Sequence, residues 1–338
     1  MEKTKKNLKS IGEFGLIEEY IAPEFKDLVK EHMTGIGDDC SIIPVSKTTS
    51  HIFTTDMLIE KTHFLRDKIT PYQLGFKSLA VNLSDIAAMG GKPVGSYISI
   101  GLPKDIELSW IEEFMKGYKA LSEEEDVPLL GGDTTSSENS IVINIGVTGE
   151  IQNQNIKKRS AAETGDIICI TGETGESAAG LQALFLDLPE DNKTKPLFEQ
   201  HLSPYPHISE GKWLAKHKDV HAMIDVSDGI SSDLMHILNA SSRKGNIDLE
   251  KIPMTNALLN FCNTHQIDPT ELALSGGEDY ILLLTIQGEA FENIAKNFMD
   301  KFQKPLYPIG KIEDGKPKIA YYKNNQEVEN IRKGYTHF

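Results

Sequence analysis

The chain has 338 residues, 39% of them hydrophobic, and carries 35 lysines and arginines against 50 aspartates and glutamates, a formal charge of −15. That length supports two ordinary domains with real cores, and the acidic balance argues against a surface built for nucleic acid or an anionic membrane, where a basic face is expected. A polyanionic substrate would need cations to mask the acids of such a chain.

The opening MEKTKKNLKS leads into GEFGLIEEY. This is not a signal-peptide apolar core, so export by that route is not expected and a cytoplasmic location is. The apolar run 280–286 falls far short of the roughly 20 residues that cross a bilayer. Cys40, Cys169 and Cys262 stand far apart without a CxxC, which fits a reducing compartment and packing roles.

In chain order, the apolar spacing predicts a helix over Phe14–Tyr20, then a turn with an acid pair and a strand across Gly35–Val45, and a strand His51–Asp56 ending on an acid. KSLAVNLSDIAAMGG (Lys77–Gly91) reads as an apolar-faced helix closed by Gly90, Gly91 and Pro93. Asn82 and Asp85 share one side of it. A strand Tyr97–Leu102, a helix Trp110–Ala120 and a strand Leu129–Gly132 running into a double glycine follow. Ile141–Ile151 alternates strictly, so one face is buried and the other is polar or covered by a partner.

The polar stretch QNQNIKKRSAAETG marks a domain boundary, giving domains 1–151 and 152–338. Beyond it come a strand Asp166–Thr171, the turn GETGES, a helix Ala178–Leu186, a polar loop Asp187–Lys195 and the proline-punctuated HLSPYPHI. A helix beginning at Gly211–Ala215 precedes a strand Ala222–Asp225, which runs into DVSDGISSDLMHIL, where Ser227 and Asp228 are good N-cap types. The last strands are Tyr280–Ile286 and Ile309–Ile312. The expected fold class is α+β, mixed sheets in two related domains.

The chemistry centres on acids. A carboxylate in a helix as apolar as the one bearing Asp85 needs a partner or a cation, and acids flanked by Gly, Ser or Thr recur at Asp39, Asp56, Asp133, Asp225, Asp228 and Glu278. Two carboxylates about 4 Å apart repel by roughly 4 kcal/mol at an effective dielectric near 20. A pocket of several is therefore untenable without hard cations, of which Mg²⁺ is the default beside phosphates. No GxxxxGK[ST] is present, GETGES is a weak phosphate signal, and Gly131-Gly132-Asp133-Thr134 is a stronger one. Arg159 and Lys158 could neutralise a phosphate. Ser227 lies between acids without a histidine, a poor setting for a nucleophile. Of ten histidines, His63 alone lies in an acid-rich motif. Acids that hold metals and position reactants suffice for phosphoryl transfer.

GEFGLI, GIGDDCSII, TTDMLIEKTHF, KSLAVNLSDIAAMGGKPVG, GGDTT, TGETGESAAGL, DVSDGISSDL, SGGEDY and the terminal GYTHF stand in an order and spacing that resemble the thiamine-monophosphate kinases over almost the whole chain. Some of these motifs are shared with aminoimidazole ribonucleotide synthetase and selenophosphate synthetase. The resemblance implies transfer of the γ-phosphoryl of ATP directly and in line to thiamine monophosphate, giving thiamine diphosphate and ADP. It implies Asp39, Thr54, Thr55, Asp56, Asp85, Asp133, Asp225 and Asp228 as ligands of several Mg²⁺ ions, with Asp85, Asp133 and Asp225 central to catalysis and a monovalent cation as a further candidate. Gly132, Asp133, Arg159 and Ser227 are then nucleotide contacts, and His63, Glu278 and Tyr335 contacts to thiamine monophosphate. It also implies a homodimer whose N-terminal domains pair into a β-barrel-like core, with Ile141–Ile151 as a pairing strand. Where the family usually reads HLRPxPR this chain has Ser203 and His207. The alternatives are another ATP-dependent synthetase of the same superfamily and a non-catalytic nucleotide-binding regulator.

Overall fold

In this computed structural model the chain is described over residues 7–329. It begins with α1 (Leu8–Leu16), a π-helical turn (Ile17–Ile21) and α2 (Ala22–Phe25). Then follow β1 (Ser41–Pro44), β2 (Thr49–Ile59), α3 (Pro71–Ala88), β3 (Lys92–Leu102), α4 (Leu108–Glu124), β4 (Leu129–Ser136) and β5 (Val142–Gln152). The second half comprises β6 (Ile167–Ile170), α5 (Glu176–Phe185), α6 (Lys195–Leu202), α7 (Ile208–Ala215), β7 (Val220–Asp225), α8 (Ile230–Ser241) and β8 (Lys244–Asp248). It closes with α9 (Asn256–His265), α10 (Pro269–Ser275), β9 (Leu282–Ile286), α11 (Phe291–Phe302), β10 (Tyr307–Glu313), β11 (Lys318–Lys323) and β12 (Gln326–Val328).

The strands form two mixed sheets, one of five in the order β1-β2-β5-β3-β4 and one of seven in the order β12-β11-β8-β10-β6-β9-β7. Among the described residues the five-stranded sheet is open, with β1 and β4 as edges, and no barrel closes within one chain. β5 sits between β2 and β3, and its alternation buries Ile143, Ile145 and Val147 as its sequence predicts. β9 runs between β6 and β7 and is buried along its whole length, which is why its sequence is continuously apolar.

α3 is the structural axis. A capping box starts it, with Thr70 accepting from the Gln73 amide and Gln73 reaching back to the Thr70 amide, and Pro71 occupies the first turn. It packs on β2 and β5, runs beside α4, and touches α6, α7 and β7 of the second half, so nearly every residue from Leu74 to Ala88 is buried. Glycines permit these approaches: a Cβ on Gly75 would lie 1.9 Å from the Phe114 carbonyl oxygen, and one on Gly211 would lie 2.2 Å from that of Ala87. The helix is thereby fixed in place against both halves.

Several sequence expectations change. The predicted helix 14–20 is split into α1, kinked at Gly12 (φ 67°), and the π-helical turn. β4 does not stop at the double glycine but continues to Ser136 as an exposed edge strand. α6 fills the stretch between the polar loop Asp187–Lys195 and HLSPYPHI, where the sequence predicts no element, with Pro196 in its first turn. α11 lacks a side-chain cap and was not legible as a helix from end signals. The N-cap of α8 is Gly229, at φ 100°, and neither Ser227 nor Asp228 caps it. No helix among the described residues is long and apolar enough to cross a membrane.

Candidate functional site: an acid cluster between the two sheets

Carboxylate oxygens of Asp39, Asp85 and Asp225 lie within 4.8 Å of one another. They come from the loop before β1, from the last turn of α3 and from the end of β7, and the fixed position of α3 between the halves brings them together. Thr54 Oγ1 donates to Asp85 Oδ2, and Ser84 Oγ donates to Asp225 Oδ2 at 2.6 Å. Asn82 Oδ1 accepts from the Asp56 amide at 2.9 Å and its Nδ2 donates to the Ser78 carbonyl at 3.1 Å, tying β2 to α3 beside the acids.

The electrostatics match this crowding. Burial, then Asp56, Asp225 and Asp39, pushes the Asp85 carboxyl well above the usual carboxylate range. Burial, then Asp39, raises Asp225 to about 7, and burial, then Asp39 and Asp228, raises Asp56 to about 6. Arg159 is the one cation inside the cluster among the described residues. Its Nη2 lies 2.6 Å from Asp39 Oδ1 and its amide donates to Asp38 Oδ1 at 3.2 Å. Even so, Asp39 Oδ2 and Arg159 Nε are buried without a hydrogen-bond partner. An orphaned carboxylate oxygen among further carboxylates is the donor set a hard divalent cation fits.

The structure treats the sequence candidates unequally. Asp39, Thr54, Asp56, Asp85, Asp225 and Arg159 converge, and Asp228 lies near enough for its charge to bear on Asp56. Thr55 faces the other side of the sheet, donating to the Ile145 carbonyl at 3.0 Å and accepting from Asn144 at 2.9 Å, because successive strand residues alternate faces. Asp133 is set apart: its row across the sheet reads Met57, Asn144, Ser99, Asp133. Three strand spacings, about 14 Å, separate it from β2, on the face opposite Asp56. Gly132 is needed for β3–β4 pairing, since a Cβ there would lie 1.7 Å from the Ile98 carbonyl oxygen.

Ser227 belongs to the β7–α8 turn, and its carbonyl accepts from the Glu278 amide at 2.7 Å. His63 follows β2, its Nδ1 accepting from the Ile59 amide at 3.0 Å, and its charge bears on Glu278. Tyr335 lies outside the described residues. The helix start after GETGES is filled from within, because the Asp279 carboxylate accepts from the Gly175 amide at 3.0 and 3.1 Å. That turn has no room for a phosphate. Sequence reasoning missed Asp233, buried in the first turn of α8 and accepting from the Asp228 amide at 3.2 Å. It also missed Ser84, Lys77 and His201; the hydroxyl adjacent to Asp85 was the available signal for Ser84, and an acid five residues beyond Asp228 was the signal for Asp233.

The chain falls in the class of AIR synthase related proteins: the models for the N-terminal and C-terminal domains of that family match residues 37–151 and 163–323. The thiamine-monophosphate kinase of Buchnera aphidicola (subspecies Acyrthosiphon pisum) is 37% identical over 329 residues, covering 96% of this chain and 98% of its own. A solved structure described as AaThiL complexed with AMPPCP and TMP superposes with a TM-score of 0.86 at 33% identity, over 99% of this chain and 100% of that one. The thiamine monophosphate kinase of Aquifex aeolicus gives 0.80 at 33% identity, over 96% and 100%. The chain belongs to the thiamine-monophosphate kinase family.

Proposed function

We propose that this protein phosphorylates thiamine monophosphate with ATP, yielding thiamine diphosphate and ADP. The observation that carries the reading is the convergence of Asp39, Asp85 and Asp225 within 4.8 Å with an unpartnered buried oxygen among them. The names of the relatives supply the acceptor, and AMPPCP, an ATP analogue, bound beside TMP in the solved relative supplies the donor.

Asp39, Asp56, Asp85, Asp225 and Asp228, with Thr54 at the strand, would hold several Mg²⁺ ions, while Thr55, whose hydroxyl faces the other side of the sheet, is left out of the set. Bound there, the ions supply the positive charge that lets two phosphate compounds approach each other. Arg159 turns its guanidinium to a nucleotide phosphate, and Ser227 adds a nucleotide contact at the β7–α8 turn. His63, Glu278 and Tyr335 hold the thiamine end. The attacking oxygen belongs to the phosphate of thiamine monophosphate, and the bond that breaks joins the γ-phosphorus to the ADP oxygen. No protein nucleophile is required, in keeping with Ser227 lacking a base. A monovalent cation remains a further candidate in the same site.

We assign residues 1–151 to a nucleotide-binding and pairing domain and 152–338 to the domain that closes the cleft. Phe53, Met57 and Tyr97 are 42–49% exposed on the outer face of the five-stranded sheet, and we place a second copy there, the two sheets making a barrel-like core. In that dimer Gly132 and Asp133, too far from their own chain's acids, serve the nucleotide site of the second copy. A cytoplasmic location completes the reading.

The test offers ATP and Mg²⁺ to the purified protein with thiamine monophosphate or with formylglycinamidine ribonucleotide. Thiamine diphosphate from the first alone supports the assignment. Aminoimidazole ribonucleotide from the second, or nucleotide binding without turnover, would replace it with the synthetase or the regulator.

A further inference from the structure

Lys77 has an unusual setting for a lysine. It lies on α3 with its side chain 1% exposed, and a buried ammonium is costly unless its charge and donors are met. Its Nζ is 3.0 Å from Glu278 Oε1 and donates to the His201 carbonyl at 2.9 Å. The other carboxylate oxygen, Glu278 Oε2, lies 3.3 Å from His201 Nδ1, which also meets Ser177 Oγ at 3.1 Å. Glu278 is itself held in the left-handed region, at φ 56°, by the bond from its amide to Ser227. Its side chain keeps 27% of its surface open. Burial would raise its carboxyl, but the charge and hydrogen bond of Lys77 outweigh burial and hold it below the usual carboxylate range. His201 is neutral, pushed down to about 3 by burial and by Lys77, so the fixed positive charge behind Glu278 is that of Lys77.

Three separate segments thus converge on one carboxylate: α3 from the first half, α6 and the SGGEDY turn from the second. Lys77 and Asp85 stand eight residues apart on α3, about 12 Å along the helix at 1.5 Å per residue. One rigid helix therefore sets the spacing between a negative carboxylate and the acid cluster. A ligand with a cationic ring at one end and a phosphate at the other carries a group for the carboxylate and a group for the cation-masked acids.

We propose that Lys77 is the positioning residue for Glu278: its buried ammonium pairs with one carboxylate oxygen, His201 lies against the other, and the group is thereby turned outward to receive the cationic heterocycle of the acceptor, while the cluster at Asp85 receives its phosphate. This rests on the function proposed above. Lys77 touches neither reactant and acts only through Glu278.

The experiment compares wild type, Lys77→Gln, Lys77→Met, Glu278→Gln and the double variant Lys77→Gln/Glu278→Gln, as full chains, in steady-state assays with ATP, Mg²⁺ and thiamine monophosphate. Lys77→Gln keeps a donor for the His201 carbonyl and drops the charge, so it serves should Lys77→Met fail to fold. Each single variant is expected to raise KM for thiamine monophosphate about tenfold or more while KM for ATP stays within twofold. The double variant is expected to add less than twofold to Glu278→Gln. An unchanged KM for thiamine monophosphate in Lys77→Gln, equal rises in both KM values, or full multiplicative effects in the double variant would overturn the proposal. A wild type that does not phosphorylate thiamine monophosphate would instead refute the functional reading on which it rests.

Discussion

Replacing Asp85 by asparagine removes one charge from the centre of the cluster and keeps the shape of the side chain, including an oxygen to accept the bond from Thr54. The facing oxygens of Asp39, Asp85 and Asp225 lie within 4.8 Å of one another, so each ionised pair would repel by roughly 3.5 kcal/mol or more at an effective dielectric near 20. Proton uptake already relieves part of that repulsion, since burial and the neighbouring acids hold Asp85 well above the usual carboxylate range. In EDTA the variant should therefore be at least as stable as wild type, and full relief of one such pair would be a gain of roughly 3.5 kcal/mol. At about 2 °C per kcal/mol for a chain of this size or a little smaller, relief of one pair corresponds to a rise in Tm of about 7 °C. Mg²⁺ with a non-hydrolysable ATP analogue should then raise the Tm of wild type and leave that of the variant nearly where it was. Differential scanning calorimetry of both proteins in both buffers is the assay. A variant several degrees less stable in EDTA, or equal Mg²⁺-dependent shifts in the two, would show that Asp85 is a structural hydrogen-bond acceptor and refute the reasoning.

Gly75→Ala should cost about 3 kcal/mol, because the new Cβ would lie 1.9 Å from a backbone carbonyl that cannot rotate away; a lowered urea midpoint checks it. Glu210 carries an acid-stability prediction. Burial raises its carboxyl, but the hydrogen bond and charge of His207, then Lys304, outweigh it and bring the group from 4.5 to about 2. A depressed carboxylate contributes stability that is full above about pH 4.5 and is lost as the pH falls toward 2. The advantage of wild type over Glu210→Gln in urea midpoint should be present at pH 6 and shrink by pH 3. Light scattering should give a dimer for wild type, as proposed, and a monomer for Phe53→Asp, which puts a charge on the exposed apolar face of the five-stranded sheet.

Much of the site was legible because its acids stand at the ends of apolar runs, where strand or helix direction fixes what they can face. Asp39, Asp85 and Asp225 belong to this group; the apolar setting of α3 indicated that Asp85 needed a partner or a cation, and the recurrence of the other acids pointed to the cation. Face and topology were not legible. Thr54, Thr55 and Asp56 read as one motif, yet alternation along β2 sends Thr55 to the far side of the sheet. Asp133 reads like the other acids, but only the strand order shows it stranded on an edge. GETGES looked like a possible anion site until Asp279, more than a hundred residues later, was found at its amides. Lys77 was hidden for a different reason. A lysine in an apolar helix reads as a solvated exception, and only the packing of α6 and the SGGEDY turn against α3 buries it.

The central claim is that acids from distant segments jointly hold divalent ions beside a nucleotide. The most direct test is a crystal grown with Mn²⁺ and a non-hydrolysable ATP analogue, measured for anomalous scattering. The account predicts peaks at coordination distance from the carboxylates of Asp39, Asp85 and Asp225, with Arg159 turned from Asp39 to a phosphate. A nucleotide bound elsewhere, with no peak between those three carboxylates, would contradict it.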